Sequence, residues 1–407
     1  MSERWLAFIE SNTSGTGRLF ARAAAAQGLR PILLSADPTR YPYVAEDGIA
    51  TQYIDTQDEQ ALVDACRRLA EDAGLAGVAS SSEYFIATAA GLAARFGLPG
   101  PRQMAITRCR DKYMQRVCLH AAGVGVPAFR AADSVAGARG AADELGYPVV
   151  VKPINGSGSI GVKLCGDADA VRDHATTLLN QQQNERGQPV PQRILVEELA
   201  VGQEYSVELF NGGIVGITQK YLGSPPYFIE VGHDFPARLA AGDEQAIAQT
   251  VRRSLDALDL GWGPIHVELR VTKSGPRIIE VNPRLAGGFI PELVRLATGI
   301  DMIAETVRLV TGGTPLLQRT NDEYAAIRFI VLDQDGTLVE VGDLDAAARL
   351  AHVVAVKRYA RASNRIRCFG DFRDRIGHVI VCASTPEAAR ASADAAQRMI
   401  QVIIRPE

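Results

Sequence analysis

The chain of 407 residues carries 43 basic and 47 acidic side chains, a formal charge of −4. So small an imbalance excludes the basic stripe that nucleic-acid and polyanion binders rely on. A 47% hydrophobic and 22% charged composition is that of globular domains, about two to three of them at this length.

No run approaches the roughly 18 apolar residues of a membrane span. The apolar stretch after Arg4 stops at Glu10, which gives no signal core. The six cysteines, Cys66, Cys109, Cys118, Cys165, Cys368 and Cys382, form no C-x-x-C pair and no zinc spacing. They read as buried thiols in a reducing cytosol, so the expected location is cytoplasmic.

In chain order, Trp5 to Ile9 reads as a buried strand, and residues 11–17 as a turn with capping residues. A helix is predicted from Arg18 to Gln27, strands at Pro31 to Ser35 and Gly77 to Ser80, and a helix from about Glu83 to Phe96. This alternation predicts a small doubly wound parallel sheet over residues 1–100. Its ligands are expected beyond the carboxyl ends of the strands, at residues 11–17 and 80–83. The run Gly97-Leu98-Pro99-Gly100-Pro101 is the first boundary, and a single helix from about Arg102 to Ala122 follows. From Tyr147 the texture is mostly β, with helices at about 168–184, 243–259 and 301–311. The next break is Thr311-Gly312-Gly313-Thr314-Pro315. The last ninety or so residues read as a small α/β unit. The expected domains are therefore 1–100, 101–314 with a subdomain at about 128–196, and 315–407.

Three segments carry chemistry. Val149-Val150-Val151 delivers Lys152, and a loop follows with Gly156, Ser157, Gly158, Ser159 and Gly161. Small residues let backbone N–H groups approach an anion, and the lysine neutralises a phosphate. Alone, the segment reads equally as a glycine-rich hairpin with a solvated lysine. It is neither a Walker loop nor a dinucleotide fingerprint, because strand rather than helix resumes. The second segment, Ile194 to Tyr205, ends a strand on Glu197 and Glu198 and opens the next with Glu204. Those carboxylates suit ribose hydroxyls, and the link suits an adenine edge; alone it would pass for a solvated acidic loop. In the third, His266, Glu268 and Arg270 share one strand face, as do Glu280 and Asn282. Ser274-Gly275 predicts the hairpin between them. Glu268, Glu280 and Asn282 then converge as oxygen ligands suited to Mg²⁺ or Mn²⁺ beside phosphates. Arg284 follows, where a guanidinium clamps a phosphoryl group or an oxyanion.

With Asp111-Lys112-Tyr113 ahead of them, these motifs in this order resemble the ATP-grasp carboxylate–amine ligases over nearly the whole chain. The particular likeness is to bacterial L-amino acid ligases, the alanine–anticapsin ligase among them. It is carried by residues 82–85, by Glu230-Val231-Gly232-His233-Asp234-Phe235-Pro236, and by residues 282–288. The resemblance implies an ATP-grasp fold of mixed α/β and α+β class, with an N-terminal doubly wound sheet and a small C-terminal α/β domain. Arg375-Ile376-Gly377-His378-Val379 marks that last domain.

The resemblance also implies roles. Lys112 and Lys152 contact ATP phosphates, the loop from Gly156 to Gly161 is a lid, Glu197 and the main chain at Ala200 contact adenine, and Glu204 contacts ribose. Glu268, Glu280 and Asn282 hold the metal. Arg284 and Lys152 are the catalytic pair. Glu83, Ser159, His233, Arg284, Gly287 and Gly288 border the substrates. His233 is read in a loop stiffened by Pro236, with Glu230 and Asp234 around it. Gly288 stands where some relatives carry a bulky residue that restricts one amino-acid pocket, so the substrate pair does not carry over.

The expected reaction joins a small carboxylic acid, an amino acid or a dicarboxylic acid, to an amine, itself an amino acid. It passes through an acyl phosphate and releases ADP and phosphate, as in natural-product pathways. The alternatives are a carboxylase-type enzyme acting on bicarbonate and a non-catalytic ATP-binding regulatory protein. No nucleic-acid or membrane partner is expected; a homodimer is, because relatives often form one, although no interface stripe is evident.

Overall fold

A computed structural model describes residues 4–12, 16–360 and 364–406. Thr13, Ser14 and Gly15 of the first predicted turn lie outside the described residues.

Strands Trp5–Ile9, Arg30–Ser35, Ala50–Tyr53 and Leu75–Ala79 form a parallel sheet in the order third, second, first, fourth. Trp5–Ile9 and Leu75–Ala79 are buried at every position. That explains why both read as unbroken apolar runs. Ala50–Tyr53 escaped the sequence reading because it is a largely exposed edge strand with no apolar face. The helices Thr16–Ala26, Glu59–Asp72 and Ile86–Arg95 bury their small and aliphatic faces around this sheet. At the carboxyl ends two loops meet: Ser11 Oγ lies 3.2 Å from Ser81 Oγ, which also accepts the Asn12 N–H at 3.2 Å.

The single helix expected over 102–122 is in fact two, Gln103–Arg110 and Lys112–Ala121. Asp111 breaks it: its backbone is extended and its side chain accepts the Met114 N–H at 2.9 Å. Such a cap outweighs the continuous helical pattern around it. The break sets Lys112 at the start of the second helix, where its N–H donates to Ile154 O at 3.1 Å.

Phe129–Ala132, Ile194–Glu198, Val149–Pro153 and Lys163–Cys165 form a four-stranded antiparallel sheet in that order. Helices Val135–Leu145 and Ala168–Leu179 cover it, capped by Ser134 and Asp167.

The largest sheet has eight antiparallel strands. They run Gly275–Asn282, Pro264–Thr272, Gly202–Phe210, Gly213–Leu222, Glu230–Phe235, Tyr324–Val331, Arg375–Ala383 and Val353–Arg358. This sheet runs across residue 314 without interruption. Glu230–Phe235 corrects the loop expected around His233: it is an interior strand, paired on both sides. Its polar sequence is stable there because Lys220 and Arg375 bind Glu230, while Arg328 and Tyr221 bind Asp234. A small sheet of Arg365–Ile366, Gly336–Val341 and Val402–Arg405 closes the C-terminal part with helix Pro386–Met399. Among the described residues no helix is long and apolar enough to cross a membrane.

Candidate active site

The strand ends of the N-terminal sheet, the four-stranded sheet and the eight-stranded sheet enclose a cavity of about 1550 Å³. In the hairpin, Glu268 lies directly opposite Glu280, and His266 opposite Asn282. Residues opposed in an antiparallel pair share a face, so both acids look into the cavity. Each is held by a lysine. Lys112 Nζ is 2.6 Å from Glu280 Oε1, and Lys220 Nζ is 2.7 Å from Glu268 Oε1. Asn282 is buried, and its Nδ2 has no partner.

Two carboxylates and an amide are hard oxygen donors, which fits Mg²⁺ or Mn²⁺ in a site completed by waters and phosphate oxygens. Among the described residues no three His, Cys, Asp or Glu side chains gather into an all-protein metal site.

Lys152 is buried at the end of its strand and pairs with Glu197, whose other oxygen accepts Arg116 Nε at 2.6 Å. Burial pushes the Lys152 ammonium down, and Glu197 pushes it back up. Burial alone would raise Glu197; Arg116 and Lys152 outweigh it and keep it ionised. Glu197 therefore anchors Lys152 and Arg116 from the cavity wall, next to Glu198, Leu199 and Ala200. Glu204 accepts Arg270 Nε at 2.9 Å, and Ala200 O accepts Arg270 Nη1 at 2.9 Å.

The glycine loop folds over this wall. Lys112 Nζ donates to Gly156 O at 3.1 Å, and Ser159 Oγ donates to Phe228 O at 3.2 Å. Gly158 and Gly161 have φ of 64° and 71°. A Cβ at Gly158 would lie 2.5 Å from the Phe372 ring, so the loop needs glycine there for both backbone and space.

From the N-terminal sheet comes Glu83. Its Oε2 accepts Arg284 Nη2 at 2.5 Å, Arg284 Nε at 3.0 Å and Ser157 Oγ at 2.7 Å, while Oε1 pairs with Arg110. Burial would raise its pKa, but Arg284 and then Arg110 and Lys112 hold it down at about 2.

His233 is fully buried, with neither ring nitrogen hydrogen-bonded. Its ring meets Phe329 edge-on at 5.6 Å, and Nε2 is 3.6 Å from Glu230 Oε2. Burial lowers its pKa and favours neutral imidazole. Gly288, at φ 59°, abuts it: a Cβ there would lie 2.7 Å from His233 Nε2. Gly287 lines the cavity with open space beside it.

The structure thus gathers Lys112, Lys152, the glycine loop, Glu83, Glu268, Glu280 and Arg284 around one cavity, while Asn282 and His233 are buried behind its wall, His233 directly beneath Gly288. Sequence reasoning missed Arg110, Arg116 and Lys220. Arg116 and Lys220 are fully buried cations whose partners lie on other elements. Their only sequence signal is a charge within an otherwise core-forming stretch.

Residues 145–292 match the ATP-grasp domain family, and residues 328–405 match the L-amino acid ligase C-terminal domain 2 family. The chain is 39% identical to the uncharacterized protein y4rH of Sinorhizobium fredii over 393 residues, 96% of this chain and 81% of that one. It is 25% identical to the alanine–anticapsin ligase of Bacillus subtilis over 265 residues, 60% of this chain and 56% of that enzyme. The chain thus spans little more than half of that ligase. The crystal structure of an L-amino acid ligase from Bacillus licheniformis superposes with a TM-score of 0.81, covering 100% of both chains at 22% identity. At that identity the likeness establishes the fold.

Proposed function

This chain belongs to the ATP-grasp family of ATP-dependent carboxylate–amine ligases, and we propose that it forms an amide bond between a small carboxylic acid and an amino acid. The acid is an amino acid or a dicarboxylic acid. A carboxylate oxygen attacks the γ-phosphorus of ATP, and the bond to ADP breaks. The amine nitrogen then attacks the acyl carbon, loses a proton, and phosphate leaves.

The carrying observation is the seat around Glu83. Within it a carboxylate oxygen already rests between the Arg284 fork and Ser157 of the glycine loop. Lys112 and Glu280 stand alongside. That arrangement favours a carboxylate being held against a guanidinium while charge develops. Lys112 and Lys152 neutralise the triphosphate as it meets a second anion. Glu268, Glu280 and Asn282 would hold Mg²⁺ or Mn²⁺, which supplies further charge neutralisation at the phosphates. The glycine loop excludes water from a hydrolysable intermediate. His233 and Glu83 border the substrates, and Gly287, with open space beside it, leaves room for one of them next to Gly288.

The same reading takes boundaries near 100 and 314, Ala200 and Glu204 on the nucleoside side, a cytosolic location and a homodimer. Hydroxylamine tests the intermediate. With ATP, Mg²⁺ and a grid of carboxylic acids, an acyl phosphate yields a hydroxamate together with ADP. AMP as the nucleotide product would overturn the reading.

A further inference from the structure

We propose that Lys220 is a positioning residue, a built-in counter-cation that holds Glu268 in place in the nucleotide-free protein and keeps divalent cations out until nucleotide arrives. The inference rests on the metal-site reading above.

Lys220 lies on the strand Gly213–Leu222 and is 1% exposed. A lysine so buried persists only when its charge is paired. Its Nζ is 2.6 Å from Glu230, 2.7 Å from Glu268 and 3.2 Å from Glu204. Those acids come from three other strands of the same sheet. An ammonium has three N–H donors, one for each carboxylate.

The three acids do not depend on Lys220 equally. Glu204 also has Arg270 at 2.9 Å, and Glu230 also has Arg375 at 2.6 Å. Among the described residues, the other direct polar partner of Glu268 is His266 Nε2 at 3.1 Å. Among the described residues Lys220 is thus the one lysine or arginine in direct ion-pair contact with Glu268, as Lys112 is with Glu280 at 2.6 Å. A divalent cation approaching Glu268 meets a fixed like charge within hydrogen-bond distance of the same oxygen. Like charges so close in a buried site repel strongly. A polyphosphate brings enough negative charge to reverse that balance, so metal enters with nucleotide and not before it.

The test is Mn²⁺ binding to the whole protein, read by electron paramagnetic resonance with and without a non-hydrolysable ATP analogue. Without nucleotide, Lys220→Met should bind Mn²⁺ about tenfold or more tighter than the parent, the scale of one charged hydrogen bond. Lys220→Arg should behave as the parent. A merely structural lysine would lower the melting temperature without tightening Mn²⁺. Equal Mn²⁺ affinity in parent and Lys220→Met overturns the inference, and so does stoichiometric Mn²⁺ binding by the nucleotide-free parent as tight as with the analogue. If Lys220→Met does not fold, Lys220→Gln takes the same titration and the parent arm still decides. Failure of the parent to bind Mn²⁺ even with the analogue would instead strike the metal-site reading itself.

Discussion

Arg284 spends both Nε and Nη2 on a single oxygen of Glu83, so an incoming carboxylate must take over part of that fork. A lysine offers one point charge and no fork. Arg284→Lys is expected to lower kcat by about 10²- to 10³-fold, the usual cost of losing one such donor. Affinity for ATP, measured by calorimetry, should barely change; equal losses in both would place Arg284 in ground-state binding instead. His378 makes a different prediction. It is buried against Phe289, with ring centroids 4.3 Å apart, and against Tyr359. Burial, with Lys357 adding to it, pushes its pKa from 6.5 down to about 4. The fold therefore favours neutral imidazole. This contribution is fully present above pH 6.5 and is lost as the pH falls toward 4, where the unfolded chain gains a proton that the fold refuses. The most it can reach is about 3 kcal/mol. Denaturant unfolding at pH 7 and at pH 4.5 should show that loss, and His378→Phe should shrink it.

Helix Lys112–Ala121 is fastened to the four-stranded sheet by one buried triad, in which Glu197 sits between Arg116 and Lys152. Removing one member of a buried pair leaves an uncompensated charge. Arg116→Met is expected to cost about 3 kcal/mol in denaturant unfolding, and an unchanged midpoint would show the triad to be dispensable. No sequence pattern could reveal this triad, because its members lie on three elements brought together only by tertiary folding. What was legible were periodic and apolar elements: Val149 to Val151, Ile194 to Val196, and the hairpin with Glu268 and Glu280 on one face. The Glu230–Phe235 strand was not, because its Glu, Gly, His and Asp imitate a loop until Lys220, Arg375 and Arg328 satisfy them. Helix 102–122 was overextended because Asp111 reads as a helix-compatible residue, whereas its side chain caps a new helix. Lys220 was missed for a similar reason: a lysine on a strand normally faces solvent, and only a neighbouring strand on each side made it a core charge.

Across the whole molecule the cavity is closed by contacts between distant parts of the chain. Arg186, beyond the four-stranded sheet's helix Ala168–Leu179, donates to Tyr41 Oη at 3.0 Å and to Ser11 O at 2.8 Å in the N-terminal part. The C-terminal Phe372 packs on Gly158 of the glycine loop. If that loop is the lid, a non-hydrolysable ATP analogue should slow hydrogen exchange over residues 156–161 and leave the interior of the eight-stranded sheet unchanged. Exchange that does not respond would rule out a nucleotide-gated lid. The central claim is amide ligation driven by ATP, and it is tested most directly by ADP release over a grid of carboxylic acids crossed with amino acids. Glu280→Ala serves as the blank, and each positive well goes to mass spectrometry. The expected result is release that needs both substrates and a product lighter by one water than their sum. ADP release with one substrate alone and no condensed product, or AMP in place of ADP, would contradict it.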